Sequence, residues 1–316
     1  MALRIKSASD LIPEQGGQPV RSIVITTWRS GSTFVGDILN IPPGSFYHYE
    51  PLADFGFKQV RSGADAAQAS HNLRHFLTCN YTDLDHYLKY SNKEKWPLRH
   101  NSPLWKFCNN SHLCRKPEFL SQFCSLFPFQ TLKAIRLRLN LTKELLEDKQ
   151  LGVQVLLLVR DPRATMQSRK HRKWCPGNPD CDNPAHLCQD LVDDYNTAID
   201  FRREFPQSFK FVRYEDVSFD AYNKTKELFN FFHLSYDSRA VKFLDSHTGK
   251  PMSSSQGKYS TARDSKTAPI HWRSDLNWDD VDAIQKVCNK ALSLWGYELA
   301  KDKEHVRKFD PVGKLG

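Results

Sequence analysis

Apolar residues along the chain fall into short unbroken runs separated by amphipathic stretches. Residues 22–27 (Ser-Ile-Val-Ile-Thr-Thr) are β-branched and continuous, the pattern of a strand buried on both faces. They run directly into a Gly/Ser turn, after which residues 32–39 carry a helical pattern. Residues 45–49 read as a short aromatic strand stopped by Glu50-Pro51, because proline forces its predecessor out of the α region. Residues 133–137 and 153–159 are further strands, with a helix near 141–148 between them. Residues 209–214 make a fifth strand, followed by helices near 219–232 and 238–244, and a last helix over 278–295 ends before Gly296. Residues 68–126 are mostly helical, clearest at 68–77 and 117–126, and hold four cysteines. Residues 246–268 are rich in Ser, Lys, Gly and Thr and read as a mobile loop. Strand alternating with helix predicts an α/β fold: a parallel sheet of about five strands with helices on both faces. With no internal repeat and no long linker, one domain is expected over 21–300. An extension precedes it at 1–20, a helical, cysteine-bearing insertion interrupts it at about 60–130, and a tail follows at 301–316.

Composition narrows the class. The 316 residues suffice for a sizeable core, and 40% hydrophobic residues with ordinary Gly and Pro exclude a low-complexity chain. A formal net charge of +9 favours phosphate, sulfate, acidic glycan, nucleic acid or anionic lipid without choosing among them. The longest apolar run, residues 155–159, is far short of the roughly eighteen residues a membrane helix needs. The start mixes Arg4, Lys6 and Asp10 with no apolar segment behind them, unlike a signal peptide. Yet eight cysteines accompany four Asn-x-Ser/Thr sequons at Asn80, Asn109, Asn140 and Asn223, which predicts an oxidising, glycosylating lumen. An N-terminal anchor upstream of residue 1 would reconcile the two. Nucleic acid is disfavoured, since no helix-turn-helix, RNP aromatic pair or zinc-finger spacing is present.

Two segments carry the chemistry. Thr27-Trp28-Arg29-Ser30-Gly31-Ser32-Thr33 joins a strand to a helix, the arrangement in which backbone N–H groups surround an anion. A nucleotide kinase carries Gly-x-x-x-x-Gly-Lys-Ser/Thr here; this loop lacks the first glycine and the lysine, leaving Arg29 as its cation. The plain alternative is a βα turn rich in capping residues. In the second segment, Arg160 sits at a strand's carboxyl end, Asp161 can cap the next helix and Pro162 suits its first position. Ser168 lies nearly two turns after Asp161, so it returns to the face near the helix start and can share one phosphate with Arg160. The plain alternative pairs Arg160 with a carboxylate and leaves Ser168 in water.

At these segments the chain resembles the Golgi carbohydrate sulfotransferases, the galactose/N-acetylgalactosamine/N-acetylglucosamine 6-O-sulfotransferase family. Arg29-Ser30-Gly31-Ser32-Thr33-Phe34-Val35-Gly36 is similar to that family's 5′-phosphosulfate loop. Val159-Arg160-Asp161-Pro162-Arg163-Ala164 with Ser168-Arg169 is similar to its 3′-phosphate segment. The likeness continues through Phe46-Tyr47-His48-Tyr49-Glu50-Pro51-Leu52, Leu132-Lys133-Ala134-Ile135-Arg136, Val212-Arg213-Tyr214-Glu215-Asp216, Tyr259-Ser260-Thr261 and His271-Trp272-Arg273, to Cys288 and Gly296-Tyr297. It covers about residues 20–300 in order.

The resemblance implies a P-loop-NTPase-like sheet and a 3′-phosphoadenosine 5′-phosphosulfate donor, with 3′,5′-ADP as product and no metal requirement. It further implies an acidic or neutral glycan acceptor with a 6-hydroxyl, and a Golgi lumenal, type II protein. Homo-oligomerisation stays open. Arg29, Ser30, Gly31, Ser32, Thr33 and Phe34 are then assigned to the phosphosulfate, and Arg160 and Ser168 to the 3′-phosphate. Lys258, Tyr259, Ser260 and Thr261, with Arg263, are assigned to a loop closing over the adenosine. Glu50, at a strand end, is the expected general base. His48 is the runner-up, two residues away on the same strand face, where it could instead orient sugar. The other readings are a P-loop small-molecule kinase and an inactive glycan- or nucleotide-binding module.

Other features stay secondary. Cys175, Cys181 and Cys188 with His171 and His186 could suggest zinc, but their spacing does not fit zinc knuckles and disulfides are expected. Cys79, Cys108, Cys114 and Cys124 allow three pairings, which the sequence does not choose. Trp272, Trp278 and Trp295 fit core positions better than sugar stacking. Arg169-Lys170-His171-Arg172-Lys173 reads equally as a solvated face or an acidic-glycan contact.

Overall fold

The computed structural model describes residues 7–108, 112–249 and 264–315. Its centre is one five-stranded sheet of β1 (Val20–Ile25), β2 (Ser45–Tyr49), β3 (Phe129–Ala134), β4 (Val153–Val159) and β5 (Phe209–Arg213). The order is β2-β3-β1-β4-β5 and every neighbouring pair is parallel. β1, β2 and β4 are buried at every position, which is why their apolar runs do not alternate with polar residues. Successive side chains feed opposite faces. Ile23, Ile25, Val155 and Leu157 pack with Leu73, Phe76 and Trp295, whereas Val24, Leu156 and Leu158 pack with Phe34, Ile38 and Phe229.

The third strand differs from expectation: it runs over Phe129–Ala134, not 133–137. Its register with β1 begins at Val20 opposite Phe129 and ends at Ile25 opposite Ala134. Beyond that the chain peels away, and Leu137 bridges Val60 instead. The 21-residue helix Pro184–Glu204 was not anticipated, although Asn183 caps it by accepting from Ala185 N at 2.9 Å and Pro184 occupies its first position.

The insertion is helical, with Gly63–Leu77 and Pro117–Ser125 its principal amphipathic helices. Cys79–Cys124 and Cys108–Cys114 close it. Cys175–Cys181 and Cys188–Cys288 consume the remaining cysteines, so the sulfurs of the zinc alternative are disulfide-bonded. Trp272 and Trp295 are in the core. Residues 301–315, expected as a tail, fold back onto the body: Tyr297 bridges Val312, and Val306 and Phe309 enter the core. Among the described residues, no helix is long and apolar enough to cross a membrane.

Candidate active site

The chain leaves β1 towards β2 and β3 on one side, and β4 continues to β5 on the other. Ligand crevices of open α/β sheets form at such a switch, beyond the strands' carboxyl ends. A cleft of about 1080 Å³ opens there and both candidate segments line it.

The first segment is a sharp turn. Arg29 and Gly31 have φ of 68° and 84°, and Gly31 precedes the helix Ser32–Leu39. Glycine suits position 31 twice over: the left-handed backbone disfavours a side chain, and a Cβ there would collide with the Tyr214 ring. Arg29, Gly31, Ser32, Thr33 and Phe34 line the cleft. Ser30 is buried and lines a small void beneath the turn with Thr26 and Arg138.

The second segment is a capped helix, Pro162–Lys170, with Asp161 accepting from Arg163 N at 2.8 Å. Arg160 pairs with no carboxylate among the described hydrogen bonds. Its Nη1 donates to the Arg29 carbonyl at 2.9 Å, its guanidinium lies 4.9 Å from the Tyr214 ring centre, and its buried Nε has no partner. Arg29 Nε in turn donates to Ser168 Oγ at 2.9 Å. The two segments are thus laced together through Arg29. Arg169 lies inside this joint, donating to Trp28 O at 3.1 Å, Thr27 Oγ1 at 2.7 Å and Cys181 O at 3.0 Å. The cationic run is therefore divided: Arg169 is interior, Lys170 pairs with Asp280, and His171 and Arg172 line the cleft. Behind the joint, Glu215 accepts from Asp161 N at 3.1 Å and Tyr297 Oη at 2.8 Å. Burial, reinforced by Asp161, pushes its carboxyl up to about 7.

Glu50 lines the same cleft. Its oxygens meet Lys133 Nζ at 3.0 Å and Arg136 Nη1 at 2.9 Å. Burial alone would raise its pKa, but the two cations hold it below the ordinary carboxylate value, so it is ionised at neutral pH. Each oxygen retains a further lone-pair site, which leaves the group able to accept a proton. Lys133 also lies 3.5 Å above the Tyr49 ring centre.

His48 does not share the cleft. It is 3% exposed, with Nε2 2.8 Å from Gln130 Oε1 and Nδ1 3.0 Å from Tyr81 Oη, and burial pushes its pKa down to about 4. The expected common face with Glu50 is lost because Glu50 has left the strand, with φ of 50°, breaking the two-residue alternation. Imidazoles do line the cleft, at His100, His171 and His271, and His100 is stacked 3.6 Å from Tyr49 with its pKa lowered to about 4 by burial and then by Lys133.

Lys133, Arg136, Trp28, Phe57, Trp96, His100 and Trp174 also line the cleft without having been assigned roles from the sequence. Lys133 carried a usable signal, since a cation within a buried parallel strand demands a partner. Lys258, Tyr259, Ser260, Thr261 and Arg263 lie outside the described residues.

Comparison with known proteins identifies the family. The family described as "Sulfotransferase domain" matches residues 19–296. Carbohydrate sulfotransferase 1 of Mus musculus is 26% identical over 337 residues, covering 90% of this chain and 81% of that protein. Carbohydrate sulfotransferase 4 of Mus musculus is also 26% identical, covering 92% and 85%. Among solved structures, the sulfotransferase domain from the Synechococcus PCC 7002 olefin synthase is similar at 15% identity and a TM-score of 0.48, covering 88% of this chain and 95% of that one. The chain belongs to the sulfotransferase domain family, and its likeness over nearly its whole length is to the carbohydrate sulfotransferases.

Proposed function

We propose that the protein transfers a sulfuryl group from 3′-phosphoadenosine 5′-phosphosulfate to the 6-hydroxyl of a galactose, N-acetylgalactosamine or N-acetylglucosamine residue in a glycan. One observation carries the reading: two strand-end segments rich in cations and N–H donors share a single cleft with an ionised carboxylate. The missing loop lysine weighs against the kinase alternative. The Gly31 turn and the Ser32–Leu39 helix start suit the donor's 5′ end, and Arg160 with Ser168 suits its 3′-phosphate. The four disulfides and the sequons support a Golgi lumenal site of action.

The donor supplies an activated sulfur–oxygen bond. The acceptor oxygen attacks sulfur as that bond breaks, and its electron pair leaves on the phosphate of 3′,5′-ADP. The hydroxyl proton passes to Glu50. A loose transition state asks little of the base, so a carboxylate held low by Lys133 and Arg136 suffices. Arg29 offsets charge on the departing phosphate. Positive charge comes from side chains, so the proposal calls on no metal.

The test pairs calorimetry of 3′,5′-ADP binding with labelled-donor transfer to desulfated chondroitin, desulfated keratan and terminal N-acetylglucosamine glycans. Glu50→Gln is expected to bind 3′,5′-ADP almost normally while turnover falls on the order of 10²–10⁴-fold. Near-normal turnover of that variant would remove Glu50 as base. Binding of 3′,5′-ADP without transfer to any glycan would select the inactive binding module.

A further inference from the structure

Phe57 is 44% exposed at the mouth of the cleft, yet its ring is far from loose. It lies parallel to Trp174, with centroids 5.2 Å apart and planes 9° apart, and Trp174 continues inward to Trp28 at 6.5 Å. The segments bearing the stack are pinned to each other. Gln59 N donates to Asp180 Oδ2 at 2.6 Å, Arg61 pairs with Asp180 at 2.8 Å, and the Cys175–Cys181 bridge closes the loop that follows Trp174. The stack therefore presents a fixed, flat apolar face to solvent.

Its position identifies the occupant. Arg136 holds Glu50 through Nη1 and, through Nε, donates to the Gly56 carbonyl at 2.6 Å, so one guanidinium joins the candidate base to the residue preceding Phe57. Arg136 also lies 5.6 Å from the Trp28 ring centre. Trp28 is 3% exposed, lines the cleft, and its buried Nε1–H has no partner. A flat apolar surface tied through Arg136 to an ionised carboxylate matches a pyranose, which offers a C–H face and a hydroxyl proton to lose.

We infer that the Phe57–Trp174 stack is the acceptor platform, on which a sugar ring at or next to the sulfated residue lies. This rests on the proposed function and adds the subsite that sets acceptor affinity.

The test uses Phe57 variants, because this exposed ring can be changed without opening the core. Acceptor KM, donor KM and the 3′,5′-ADP dissociation constant are measured for the full chain, with desulfated chondroitin and keratan oligosaccharides as probes. Phe57→Ala and Phe57→Leu are expected to raise acceptor KM about tenfold, with donor KM and 3′,5′-ADP affinity unchanged. Phe57→Tyr, which keeps the ring, is expected to stay within about twofold of the unaltered protein. The inference is overturned if Phe57→Ala leaves acceptor KM unchanged, if Phe57→Leu equals Phe57→Tyr, or if the loss appears in 3′,5′-ADP affinity, which would put the nucleoside on the stack. An unaltered protein that neither binds 3′,5′-ADP nor transfers sulfate would bring down the proposed function and the platform together. Transfer by the unaltered protein with an indifferent Phe57→Ala would remove the platform alone.

Discussion

The two segments that meet in the cleft are built on opposite principles. The first, after β1, takes a left-handed backbone at Arg29 and Gly31. The second, after β4, uses an ordinary capped helix start, with Asp161 and Pro162 in their preferred positions. One stores conformational strain and depends on a residue without a side chain; the other is relaxed and depends on side-chain reach. The first should therefore fail sharply under small changes, and the second gradually.

Replacing Gly31 by Ala tests the sharp end. The added Cβ meets both a positive φ and the Tyr214 ring, so 3′,5′-ADP affinity is expected to fall by more than about 100-fold, read by calorimetry. An affinity within threefold of normal would mean that the turn is not built around glycine. Ser168→Ala tests the gradual end. It removes one hydroxyl from the relaxed segment and the acceptor of Arg29 Nε, and about a five- to tenfold loss of 3′,5′-ADP affinity is expected. If the serine change were the more damaging, the comparison would be inverted.

The third test reads stability rather than affinity and concerns the support behind the second segment. Glu215 has its pKa raised in the folded state to about 7 from an ordinary 4.5. It therefore contributes stability that is fully present below pH 4.5 and lost as pH rises through 7. His48 and His100, lowered from 6.5 to about 4, act in the other sense: their contribution is present above pH 6.5 and lost as pH falls towards 4. Glu215→Gln is expected to leave the acid-side loss intact and to flatten the decline from pH 5 to 8, by at most about 3 kcal/mol in denaturant titrations. An unchanged pH profile would show that Glu215 ionises in the folded protein as it does in water.

Much of the frame was legible. Four of the five strands fall close to their expected positions, and the capping of Pro162–Lys170 follows from local preferences. β3 was misplaced because its end is set by the neighbour it pairs with, and Arg136 and Leu137 look strand-like until the chain is seen leaving β1. His48 was misjudged because alternation holds only while the chain remains a strand, and Glu50 ends it. Lys133 and Arg136 were visible as residues but not as the partners of Glu50, from which they are 83 and 86 positions distant.

Taken alone, the amino-acid order determined the alternation of strand and helix, the glycine turn and the helix caps. These depend on period, backbone freedom and hydrogen bonds within a few residues. Tertiary structure decided the protonation of Glu50, the withdrawal of His48, the disulfide pairing and the aromatic wall at Phe57 and Trp174. Each of those is a property of distance and burial between segments far apart in the chain, and neither quantity exists until the sheet has brought the strand ends together.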